Sequence, residues 1–146
     1  MDKKHGFQNR TLDVKTRDGL DDMLIEPLYF VDRAGRRFRA PDGSTTDGLS
    51  TPKIIRILPG YDATGDDWWS GVLHDAAYRN FLELEPGIGI WEKAELTQAQ
   101  SDALIFEAMT TQKVGWWRRH LIYYALRLFG SGDFKRDRRT SAAATI

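Results

Sequence analysis

The sequence contains no cysteine, which excludes disulfides, thiolate metal centres and cysteine nucleophiles together. Its three histidines include no H-E-x-x-H arrangement, so no zinc site of familiar spacing is written into it. No G-x-S-x-G elbow surrounds Ser50, which removes the usual setting of a serine nucleophile. No apolar run approaches the roughly 20 residues that span a bilayer. The opening MDKKHGFQNR lacks the apolar centre of a secretory signal. Net charge is also lacking, since 21 Lys and Arg balance 21 Asp and Glu.

What is present is ordinary for a globular domain: 146 residues, 41% hydrophobic and 29% charged, with aromatics raised to 12%. That length supports one proper core and not two comfortable ones. The charges are segregated. From Asp42 to Asp102 eleven acidic residues face four basic ones, whereas from Trp116 onward seven basic residues face two acidic ones. A local negative field favours a bound cation. The basic end, FKRDRRTS, reads as a solvated segment and carries no strong nucleic-acid signal.

The first third reads as extended. TLDVKT alternates, and LIEPLYFVDRAGRRFRAP reads as two strands joined by a turn around Ala34-Gly35, with Pro27 at a strand start or edge. DGSTTDGLSTP (42–52) and LPGYDATG (58–65) have loop composition. A helix capped by Asp66 or Asp67 is expected to run to about Phe81, followed by a linker broken at Pro86, Gly87 and Gly89. Thr97 with Gln100 forms a capping box for a second helix to about Lys113. WWRRHLIYYALRLF forms a third, which GSG stops. The expected architecture is α+β: a small antiparallel N-terminal sheet or hairpin followed by a three-helix unit, with residues 1–134 as one domain and 135–146 as a disordered basic tail.

One cluster on this framework can carry chemistry. On the first helix His74 shares a face with Ala77, Tyr78 and Phe81, so it points inward. Asp102 lies three and four residues before Ile105 and Phe106, on the inward stripe of the second helix. Packed neighbours would bring His74, Tyr78 and Asp102 together. A carboxylate accepting one imidazole N–H fixes the tautomer and frees the other nitrogen as a base. Asp75, about 100° further round the helix, and Asp47 in the loop are oxygen ligands of the kind calcium takes. The same pattern is equally that of a hydrogen bond tying two helices, and Asp47-Gly48 equally that of a turn. His120 reads as an interface histidine, and GWWRRHLIYY as core residues with snorkelling arginines, or else as a membrane-surface segment or a nucleic-acid surface.

The blocks TDGLSTP (46–52), LHDAAY (73–78), SDALIFEAM (101–109) and YYALRLFG (123–130) resemble, in that order, an uncharacterised family of tailed bacteriophages and prophages. The likeness extends from about Leu28 to Gly130 and implies a phage or prophage origin, with synthesis in the bacterial host cytoplasm and association with the virion as an option. H-D-x-x-Y followed by a later helix aspartate is also similar to the phospholipase A2 arrangement. That similarity implies His74 as general base, Asp75 as calcium ligand, and Tyr78 with Asp102 as the orienting network. LPGYDATG stands where the calcium loop would be, without that loop's usual glycine pattern. The expectation is therefore a His/Asp-centred hydrolase, calcium-assisted, acting on an ester or phospholipid. The alternative is a non-catalytic virion or host-interaction protein, or a small-ligand binder, in which the cluster is structural.

Overall fold

Strands come first because the N-terminal residues alternate. In RFRA, Phe38 and Ala40 are buried while Arg37 and Arg39 turn outward, the period of a half-buried strand. The computed structural model describes residues 4–17, 20–46 and 68–144. Among these are eight strands: β1 (Gly6–Phe7), β2 (Val14–Arg17), β3 (Leu20–Leu24), β4 (Leu28–Val31), β5 (Arg37–Ala40), β6 (Thr45–Thr46), β7 (Glu83–Gly87) and β8 (Ile90–Lys93). The four helices among them are α1 (Trp68–Tyr78), α2 (Gln98–Thr111), α3 (Trp116–Phe129) and α4 (Ser131–Ala144). The α+β class expected from the sequence is the class observed.

Two antiparallel sheets form, one ordered β1-β4-β5-β7-β8 and the other β2-β3-β6. The expected turn joins β4 to β5. Gly35 adopts a φ of 83°, and Asp32 accepts hydrogen bonds from the Arg36 backbone and side chain at 2.8 Å each. Pro27 directly precedes β4, where its missing N–H costs no ladder bond. On the outer sheet face Arg37 and Arg39 lie over the Trp91 ring and pair with Glu85 and Glu83, each at 2.8 Å. The segment read as a linker is thus the β7–β8 hairpin, whose strand β7 pairs with β5. Cross-strand partners outweigh the Pro and Gly that pointed to a loop.

Helix α1 lies in the middle of the molecule, with every residue from Ser70 to Tyr78 buried. Its apolar residues Val72, Leu73, Ala76 and Ala77 join Phe30, Phe38, Leu104 and others in the larger core. A smaller core holds Ile105, Met109 and Val114 against Ile122, Ala125 and Leu126. The Thr97–Gln100 capping box forms as read. The residues expected to cap α1, Asp66 and Asp67, lie outside the described residues, as do Asp47 and LPGYDATG.

The C-terminal expectation needs correction. GSG breaks the chain at Gly130 only, and α4 starts at Ser131 and runs through the tail expected to be disordered. The physical reason is docking. Arg138 donates to the backbone carbonyls of Ala77 at 3.0 Å and Leu96 at 2.6 Å, and to Asn80 Oδ1 at 3.1 Å. It therefore gives the Ala77 carbonyl, at the C-terminal end of α1, a closer donor than the Asn80 N–H at 3.3 Å. Phe134 packs edge-on against Tyr78, with ring centroids 5.2 Å apart. Replacing Arg138 by Ala is expected to lower stability by about 1–3 kcal/mol, the usual cost of leaving buried acceptors unmade. Urea denaturation followed by circular dichroism measures it, and an unchanged midpoint would contradict the docking role.

Candidate functional site

A helix buried on all sides must satisfy any polar group it carries, because burial without a partner costs more than the bond itself returns. Helix α1 carries Ser70, His74 and Asp75, and the structure gives each a partner. Ser70 donates to Gln112 Oε1 at 2.6 Å, beyond the end of α2. Asp75 accepts from the Thr46 hydroxyl at 2.7 Å, which ties α1 to β6 in the smaller sheet. His74 points toward α2.

On α2, Asp102 is wholly buried, with 0% exposure. A carboxylate in that position remains charged only if hydrogen-bond donors replace its water. The Tyr78 hydroxyl donates to Oδ1 at 2.6 Å, within the range of a charge-assisted bond. Arg127, from α3, donates to Oδ2 at 3.0 Å and supplies the compensating positive charge. His74 Nε2 faces the same Oδ1 at 3.4 Å, longer than an ordinary N–H···O bond. Helical spacing brings the His74 and Tyr78 rings within 3.9 Å of each other, centroid to centroid. The three residues singled out from the sequence therefore meet, and His74, at 5% exposure, sits almost closed off.

The network contains two residues whose part in it the sequence reading passed over. Arg127, which the sequence reading gives no role beyond its place in the block YYALRLFG, reaches inward with its guanidinium to Asp102. Gly130 is the helix stop that the sequence indicates, the C-cap of α3, and it also permits a close approach. A Cβ there would lie 2.8 Å from the Tyr78 hydroxyl and 2.5 Å from the Leu126 carbonyl oxygen. Both belong to the block YYALRLFG, where the arginine stands three residues before the glycine. His120, read as an interface histidine, has Nδ1 2.7 Å from the Trp116 carbonyl and packs against the rings of Trp116 and Phe106.

Calcium ligation was expected from Asp75 and Asp47. Asp75 is buried and engaged with Thr46, and Asp47 lies outside the described residues. Among the described residues no group of three His, Asp or Glu side chains is gathered around a common point. The residues seen at Asp75 thus do not compose a calcium site by themselves.

Burial and the neighbouring Asp102 carboxylate push the Tyr78 phenol well above its ordinary value, outweighing Gln98 and Arg127, which pull it down. The folded state therefore holds this proton more tightly than the unfolded chain does. The resulting stabilisation is fully present below the ordinary tyrosine value of about 10 and shrinks as pH rises above it. Tyr78→Phe is expected to cost about 1–3 kcal/mol at neutral pH. It should also flatten the fall in stability above about pH 10, as measured by denaturation across a pH series. An equally steep alkaline fall in the variant would place the titrating group elsewhere.

Residues 23–126 match the model of a family described as "Protein of unknown function (DUF1353)". The matched span includes His74, Tyr78 and Asp102 and ends one residue before Arg127. No curated protein and no solved structure matches the chain. With well over half of its length matched, the chain belongs to the DUF1353 family.

Proposed function

We propose that this chain is a phage- or prophage-encoded accessory hydrolase of ester bonds, phospholipid esters included, in which His74 is the general base. The observation that carries this reading is the orientation of the imidazole. Nε2 faces Asp102, while Nδ1 makes no hydrogen bond among the described residues. With its proton on Nε2, the neutral ring offers Nδ1 as the basic nitrogen. Nδ1 would take a proton from water, the resulting hydroxide would attack the ester carbonyl, and the proton would pass to the departing alkoxide. Asp102 and Tyr78 act as positioning residues: Asp102 stabilises the imidazolium that forms, and Tyr78 fixes the carboxylate. A pairing that is long in the free protein tightens as the ring becomes positive. No step is routed through a cation. The phage or prophage origin rests on the four sequence blocks and their order, and it places synthesis in the bacterial host with virion association as an option.

A second reading has its own observation. Tyr78 at 2.6 Å and Arg127 at 3.0 Å hold Asp102 more closely than His74 does at 3.4 Å. A carboxylate satisfied in that way can join α1, α2 and α3 without chemistry, in a virion or host-interaction protein or a small-ligand binder.

Turnover separates the two. The test uses a panel of aryl, aliphatic and phospholipid esters with wild-type protein, His74→Gln and Asp102→Asn. The hydrolase reading predicts measurable wild-type turnover and a loss of about a hundredfold or more in folded His74→Gln, the scale of general-base catalysis. Asp102→Asn, which preserves shape but removes the charge, should also lower kcat. A wild-type protein that hydrolyses none of the panel, with both variants merely less stable, would overturn the proposal in favour of the second reading.

A further inference from the structure

Helix α3 is apolar on two sides. Ile122, Ala125 and Leu126 fill the smaller core, which accounts for one face. Trp117, Leu121, Tyr124 and Leu128 recur at i, i+4, i+7 and i+11 and form a second stripe, which is open to solvent. Trp117 is 71% exposed and Leu128 72%. Trp116 and Phe129 extend the exposed surface at the two ends of the helix. Large apolar side chains contiguous along a helix about 21 Å long are not the scattered exposure of an ordinary surface.

The charges select the occupant. The helix carries no acidic residue; Arg127 is already paired with the buried Asp102, and Arg118 and Arg119 keep the helix net positive. After Gly130 comes α4, in which Arg138 turns inward to the end of α1 and Arg136 pairs with Asp133 and Asp137, while Lys135 and Arg139 add further positive charge. Tryptophan and tyrosine rings beside leucines, on a basic and carboxylate-free helix, match the headgroup–acyl boundary of an anionic bilayer. Two copies meeting symmetrically through this face would oppose two arginine-bearing helices with no carboxylate on either. Helix α3 is too short to cross a membrane, and no helix among the described residues is long and apolar enough to do so. We propose that α3 is a membrane-surface helix that docks on anionic phospholipid, with Trp117, Leu121, Tyr124 and Leu128 entering the interface. This inference stands on the outer face of α3 and does not depend on the hydrolase reading.

The test is co-sedimentation and tryptophan fluorescence of the full chain with vesicles of phosphatidylcholine alone and of phosphatidylcholine mixed with phosphatidylglycerol. The wild type is expected to sediment with the mixed vesicles and to shift its emission to shorter wavelength, and raising the salt should release it. Leu121→Glu/Leu128→Glu should bind at least about tenfold more weakly, with thermal unfolding unchanged because both positions are exposed. Trp117→Phe should retain most of the binding and lose part of the fluorescence shift. No sedimentation with anionic vesicles, or equal binding to neutral ones, would overturn the proposal. So would a concentration-dependent dimer, seen by analytical ultracentrifugation, that the double substitution abolishes, since a second copy would then own the face.

Discussion

The carboxylate of Asp102 is the constraint on which the helical half of this molecule depends. A fully buried charge must be compensated by donors, and here they arrive from two other helices: Tyr78 on α1 and Arg127 on α3. Each donor fixes the rotation and height of the helix that carries it. The consequences propagate outward. The Tyr78 hydroxyl lies so close to the end of α3 that residue 130 has no room for a Cβ, and the Tyr78 ring is then covered by Phe134 of α4. Helix α4 in turn places Arg138 on the carbonyl end of α1. The polar network and the packing of the last helix are parts of one arrangement.

His74, Tyr78 and Asp102 were legible in the sequence because helical periodicity states which side chains share a face, and all three share faces with large apolar residues. Thr97 and Gln100 were legible because a capping box is a local event, complete within four residues. Arg127 was not, since an arginine on an amphipathic helix looks the same whether it faces water or reaches a buried carboxylate from the edge. Its membership in a block ending at Gly130 was the available signal. The β7–β8 hairpin was hidden because its Pro and Gly carry loop composition, while the β5 pairing that orders it is distant in sequence. Helix α4 was hidden for a related reason. Its composition is that of a solvated tail, and the contacts of Arg138 and Phe134 that hold it are long-range.

Helix α3 connects two features that differ in kind. Inward, Arg127 reaches the buried carboxylate; outward, Trp117, Leu121, Tyr124 and Leu128 form a solvent-facing stripe. Ile122, Ala125 and Leu126 lie between these functions and anchor the helix in the smaller core. A force or contact on the outer face therefore acts on an element that also holds one side of the Asp102 cluster. The proposed lipid docking on that outer face is chemically compatible with the proposed ester hydrolysis, since it would present phospholipid esters to the protein.

The central claim is that Asp102 receives the imidazole through Nε2 and leaves Nδ1 as the basic nitrogen of His74. Nitrogen NMR of protein labelled with 15N-histidine, recorded where the ring is neutral, reads that directly. The account predicts a His74 signal with the proton on Nε2 and an unprotonated Nδ1, and loss of this tautomer preference in Asp102→Asn. A proton found on Nδ1, with a bare Nε2 turned toward Asp102, would contradict it.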